Sequence, residues 1–371
     1  MLFTRGILGS VLLSPSVVGH LHNFYSGFYS GNSLYGIQFD ELSSQLTVVY
    51  NGTLDVQSSQ WIATDKLHRN LYIADDTRYD SYAIRSDKSL VYQGSASIPG
   101  SCDWALYIVS STEPPFTAFG APYSKGCPGQ VITADATGTL RSVVANISYS
   151  SISGVHGLAL SSDNRFIYSA DDMGSAVWVH SYDAISNKVS MVQQLNVTGN
   201  PRHLTVHPHG SYVYVVLETS NEVAVFNRDL ISGRLSATNT TFSLLPSGFS
   251  SPATYWADEV IFSVAREGSY PKYLFASTRA LNSTFQGFVT AFSLDSDTGA
   301  IKDRLFLLPT TGSGGGSNAV SPAIFSEEYF AIADAGDNFV EVWKLHESGT
   351  MASVVAHLDI DESPSNLVWM D

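Results

Sequence analysis

Two stretches of the chain carry the same order of apolar and polar positions. Residues 156–183 (HGLALSSDNRFIYSADDMGSAVWVHSYD) and residues 202–229 (RHLTVHPHGSYVYVVLETSNEVAVFNRD) share one layout. Each reads as an alternating strand, a polar turn, a second strand running into an acid (Asp171, Glu218), a short turn and a third strand. Tyr168 and Tyr214 fill the same slot, 46 positions apart. Alternation at period two is the mark of a half-buried strand. A self-similar unit of this length built only of short strands is the pattern of a propeller blade.

The layout recurs at residues 59–84, 273–295 and 321–349, and the stretch 102–140 has room for one more unit. Units begin near residues 30, 60, 103, 153, 200, 255 and 318. The prediction is an all-β, seven-bladed β-propeller with four-stranded antiparallel blades of roughly 50 residues, within the ~40–50 of such repeats. Gly233 and Gly299 follow third strands, where glycine tolerates positive φ. No stretch reads as a long amphipathic helix, so residues 20–371 are expected to form one domain. The first strand (residues 23–29) and the last (residues 366–370) should pair within one blade and close the ring, removing free sheet edges. The run TTGSGGGS at residues 310–317 reads as a flexible crossover near the channel mouth. In such a fold the polar residues at one end of the channel are the ones to examine.

Composition adds an address. Residues 1–19 hold Arg5, a short apolar core from Ile7 to Leu13 and the small-residue site Val17-Val18-Gly19, the layout of a signal peptide. That core is too short to span a bilayer, which needs ~20 residues. Glycosylation sequons at Asn51, Asn146, Asn196, Asn239 and Asn282 agree with passage through the secretory pathway. In that compartment the two cysteines, Cys102 and Cys127, are expected to form one disulfide, pinning the proline-rich loop at residues 113–116 within its blade. The ten histidines show no zinc-type spacing, so no metal or cofactor is expected. The run His207-Pro208-His209-Gly210 reads as a turn, with a ligand pair as the other reading. A net charge of −15 argues against a nucleic-acid partner. It also means that any anion site needs clustered arginines to prevail.

The strings GVHGLAL, FIYSADDMGSAVWVH, NPRHLTVHPHGSYVYVVLE, YLFASTRALNSTFQGFVTAFSLD and SNAVSP resemble the fungal carboxy-cis,cis-muconate cyclase family of lactonase-type seven-bladed propellers. The likeness covers roughly residues 60–371. It implies a catalytic set of His156 in GVHG, Arg202 in NPRH, Glu218 in VVLE and Arg279 in ASTR. Histidine and glutamate exchange protons near neutral pH, and arginines hold a carboxylate or a developing oxyanion. Other roles stay open at this point. His156 can bond a neighbouring strand, Glu218 can accept turn hydrogen bonds as Asp171 would, and Arg279 can bridge blades. The family's catabolic members act inside the cell, whereas this chain carries a leader, sequons and a cysteine pair. Its expected reaction is therefore that of a secondary-metabolite branch resembling hetero-Diels–Alderases, joining a tropolone o-quinone methide to a terpene alkene. Lactonisation or lactone hydrolysis is the alternative. A non-catalytic binding propeller is a third reading, and it predicts that the four residues are dispersed. On the two enzymatic readings the partner is a small molecule, on the third a protein or glycan, and no membrane span is expected.

Overall fold

The computed structural model describes residues 20–29, 31–114, 116–249, 251–265 and 269–370, so the leader reading lies outside the described residues. Seven four-stranded antiparallel sheets form the predicted propeller. The first blade contains β1 (Leu21–Phe28), β2 (Ser33–Asp40) and β3 (Gln45–Thr53). Its innermost strand is the last of the chain, β28 (Pro364–Trp369), which pairs antiparallel with β1. The ring closure expected from residues 23–29 and 366–370 is thus present.

The other blades follow in order. They are β4–β7 (Trp61–Thr64, Asn70–Ala74, Arg78–Ile84, Leu90–Ser97), β8–β11 (Ala105–Ser110, Thr117–Pro122, Gly129–Ala134, Leu140–Ile147) and β12–β15 (Val155–Leu160, Phe166–Asp171, Ala176–Asp183, Lys188–Asn196). Next come β16–β19 (Pro201–Val206, Tyr212–Leu217, Glu222–Arg228, Leu235–Ser243), β20–β23 (Tyr255–Phe262, Tyr273–Ala280, Phe288–Leu294, Ile301–Pro309) and β24–β27 (Asn318–Pro322, Tyr329–Asp334, Phe339–Leu345, Ala352–Asp359). The only helical structure among the described residues is one 3₁₀ turn, Pro252–Thr254, and no helix is long and apolar enough to cross a membrane.

Second strands are largely buried, and β13 and β25 along their whole length, because both faces meet neighbouring blades. Fourth strands such as β3 and β15 alternate towards solvent. The tyrosine slot explains the 46-residue signature. Its hydroxyl crosses to the next blade and donates to a carbonyl in the turn after that blade's third strand. The pairs are Tyr25 to Lys88 (2.7 Å), Tyr72 to Gly138 (2.8 Å), Tyr168 to Gly233 (2.9 Å) and Tyr214 to Gly299 (2.5 Å). All four acceptors have positive φ, the conformation that turns the carbonyl towards the neighbour.

Three expectations change. Cys102 and Cys127 do form a disulfide. It sits at the end of the blade where Ala105 faces Pro122, whereas Glu113, Pro114 and Phe116 lie at the opposite end of β8 and β9, so the proline-rich loop is not what it pins. Residues 310–317 do reach the channel mouth, but as a bonded element rather than a linker. The Ala280 nitrogen donates to the Ser313 carbonyl (3.0 Å), Gly315 donates to the Ala280 carbonyl (2.8 Å), and Ser313 Oγ donates to Asp334 (2.6 Å). Glycine is required at 316, where a Cβ would lie 2.5 Å from the Gly336 nitrogen. The third change concerns strand register and belongs to the site.

Candidate active site

Two positions recur from blade to blade. The first is a β-bulge in the innermost strand. Register shifts in β8, β12, β16 and β20 leave Leu106, His156, Arg202 and Asp258 as the extra residues. A bulge bends the strand and re-aims the side chain it extrudes. The second position lies four residues beyond the second-strand slot of Tyr168 and Tyr214. It holds Tyr29, Tyr123, Asp172, Glu218, Arg279 and Ala335 in the first and the third to seventh blades. All of these except Asp258 line one cavity of about 710 Å³ at the channel mouth. Trp61, Trp104, Trp256 and Leu281 add an apolar wall.

The register also corrects the alignment of Asp171 with Glu218. Val155 pairs with Asp171, but Pro201 pairs with Leu217, so Asp172 is the counterpart of Glu218. Asp171 is a turn acceptor: its carboxylate accepts from the nitrogens of Gly154 and Gly174 (2.9 Å each) and from the Trp178 indole (2.9 Å). Glu218 faces the cavity instead. The four expected residues are therefore gathered, not dispersed as the binding-propeller reading required.

Arg202 and Arg279 share two carboxylates. Arg202 Nε lies 3.2 Å from Glu218 Oε1, and its Nη1 donates to the Asp258 carbonyl at 2.5 Å. Arg279 Nη2 donates to Glu218 Oε1 at 3.1 Å, while Nη1 bonds Asp258 Oδ1. Arg279 thus does bridge blades, and its guanidinium also lies 5.0 Å from the centre of the Trp256 ring. Asp258, 1% exposed, is anchored by the Asn318 backbone nitrogen (3.0 Å). Burial pushes the Glu218 and Asp258 carboxyls up by more than the two guanidiniums pull them down, so both stay above the ordinary carboxylate range. Tyr123 donates to Asp172, whose other oxygen is buried without a hydrogen bond among the described residues.

His156 does bond a neighbouring strand, though through a side chain. Its Nδ1 lies 3.0 Å from His203 Nε2, and His203 Nδ1 lies 3.0 Å from Glu259 Oε2. Burial, then Arg202, then His203 and Arg279, hold the His156 pKa well below its usual 6.5. Trp61 and Tyr107 pack on His203 at ring distances of 4.8 and 5.4 Å, which seats His203 behind the cavity wall that Trp61 and His156 line. His203, Asp258 and Glu259 were not singled out from the sequence. The available signal was the repeat itself: aligned by blade, His156, Arg202 and Asp258 fall in one column, and Gly157, His203 and Glu259 in the next.

Residues 130–250 match the family model described as Lactonase, 7-bladed beta-propeller. The chain is 29% identical to the carboxy-cis,cis-muconate cyclase of Neurospora crassa over 95% of this chain and 100% of that protein. It is 26% identical to a 6-phosphogluconolactonase of Pectobacterium carotovorum over 66% of this chain and 72% of that one. Among solved structures, the periplasmic gluconolactonase of Pseudomonas aeruginosa superimposes with a TM-score of 0.78 at 19% identity, covering 95% and 99% of the two chains. That last likeness speaks to the fold alone.

Proposed function

We propose that this chain is an enzyme that closes or opens a ring on an oxygenated, unsaturated small molecule at the channel mouth. The observation that carries the reading is the convergence of His156, Arg202, Glu218 and Arg279 on one cavity. Similarity to a muconate cyclase and to lactonases favours lactone chemistry. In that reaction a substrate carboxyl group gives its proton to His156. The carboxylate oxygen adds to a conjugated double bond, and the displaced π pair collects as an enolate beside Arg202 and Arg279. His156 then returns the proton to the α-carbon. One C–O bond forms, one C=C bond is consumed, and no proton is gained or lost. Positioning and general acid–base transfer supply the rate, the latter typically 10²–10⁴-fold.

A second reading has its own support in the cavity. Both guanidiniums are already opposed by Glu218 and Asp258, with Asp172 on the same wall, so the local field does not favour a polycarboxylate. The volume and the three tryptophans suit a larger, neutral, conjugated molecule. A hetero-Diels–Alder closure needs a hydrogen bond from Arg202, Arg279 or His156 to the heterodiene carbonyl and an apolar seat for the alkene. The test is product analysis after incubation with carboxy-cis,cis-muconate, and separately with a tropolone o-quinone methide precursor plus a terpene alkene. Lactone formation supports the first reading and cycloadduct the second. Turnover of neither by folded protein sinks both.

A further inference from the structure

His203 and Glu259 stand behind His156 and are not themselves part of the cavity lining, and nothing in the ring-closing scheme above uses them. We infer that His156, His203 and Glu259 form a proton relay in which Glu259 and His203 are positioning residues that present the Nε2 lone pair of His156 to the substrate. The inference rests on the proposed role of His156 and extends it.

With Glu259 ionised and His203 neutral, the geometry sets the direction of every hydrogen bond in the chain. An ionised carboxylate only accepts, so the 3.0 Å contact at Glu259 Oε2 places a proton on His203 Nδ1. A neutral His203 then offers its Nε2 lone pair, and the 3.0 Å contact to His156 Nδ1 places a proton there. His156 is left with Nε2 unprotonated, as a base. The tautomer of an imidazole is set by the partner of its other nitrogen. Here that partner is set in turn by a carboxylate two links away.

The chain also gives an accepted proton somewhere to go. A charge on His156 faces Arg202 and Arg279, both of which oppose it. When Nε2 takes a proton from substrate, the Nδ1 proton can pass to His203 Nε2. The positive charge then lies on His203, 3.0 Å from Glu259 and one ring further from the arginines. No bond other than N–H changes, and the reverse shift re-arms His156 Nε2–H for delivery to carbon. The groups are held tightly, with His203 2% and Glu259 4% exposed. Gly157 permits the approach, since a Cβ there would fall 2.8 Å from both His203 Cδ2 and the Arg202 carbonyl oxygen.

The test has one readout independent of turnover. In selectively ¹⁵N-histidine-labelled protein at neutral pH, the His156 spin system, assigned by its loss in His156→Gln, is expected to show an unprotonated Nε2 and a protonated Nδ1. The opposite tautomer overturns the relay whether or not the protein proves to be a cyclase. With whichever substrate is turned over, Glu259→Gln keeps an acceptor for His203 but removes the charge. It is expected to lower kcat ten- to a hundredfold with KM changed less than threefold. His203→Gln should match it, with melting curves confirming folding. An unchanged kcat in both folded variants overturns the relay while leaving the cyclase reading in place.

Discussion

At the scale of single residues, two histidines are held neutral chiefly by burial, each in different company. Burial and then two arginines hold down His156, the residue proposed as the base. His207 is held down to about 4 by burial and by His209, and the geometry of its turn deepens the conflict. Its Nδ1 accepts from the backbone nitrogens of Gly210 (2.6 Å) and His209 (3.4 Å), so a proton on Nδ1 would face two donors. The run at residues 207–210 is accordingly the turn that its sequence suggested. A histidine whose folded pKa lies below its unfolded value lets the unfolded chain bind more protons. Its penalty is absent above pH 6.5 and grows as pH falls towards 4, reaching up to ~3 kcal/mol. His207→Asn keeps an acceptor for Gly210 and cannot titrate. Urea melts at pH 7 and pH 4.5 should therefore show a smaller acid loss in the variant by ~2 kcal/mol, and equal losses would refute this account. His203 escaped the sequence for a related local reason. It follows Arg202 directly, and strand alternation puts neighbours on opposite faces unless a bulge intervenes. Nothing in NPRH announces the bulge.

At the scale of elements, regularity and function share the same register. In four blades a tyrosine in this slot (Tyr25, Tyr72, Tyr168, Tyr214) locks the blade to its neighbour, and the position four residues beyond Tyr25, Tyr168 and Tyr214 faces the cavity. The repeat was legible because the lock keeps one residue type in those blades. The site was only partly legible because the facing position changes its residue from blade to blade. Tyr214→Phe removes the donor to the Gly299 carbonyl and should cost ~1–2 kcal/mol in chemical denaturation with the product profile unchanged. A loss of turnover at full stability would mean that the lock also shapes the site. The disulfide acts at the same level. By lying where Ala105 faces Pro122 it braces the neighbouring Trp104 and Tyr123, which meet edge to face at 5.3 Å on the cavity wall. Composition pointed to the bond, but only the strand order shows which loop it serves.

At the scale of the whole molecule, the ring was readable and its surface explains the sequons. Asn51, Asn146, Asn196 and Asn239 lie on the outermost strands β3, β11, β15 and β19, Asn282 lies in the turn after β21, and all five are exposed. Outer strands present unpaired edges that invite association, and a glycan there would obstruct it. We expect protein made in a eukaryotic secretory host to lose several glycan masses on treatment with an N-glycosidase. An unchanged mass would remove this support for a secretory route. The pairing of β1 with β28 bears on synthesis as well as on shape. The first blade must wait for its inner strand until residues 364–369 have left the ribosome, and contacts so distant in sequence form slowly. A nascent chain that has emerged as far as Arg279 already carries the four residues proposed for the chemistry, but not Gly315, Gly316, Ser317, Ala335 and Ser363 of the cavity lining. On the proposed function, reactivity is then expected only once the last blade has been made.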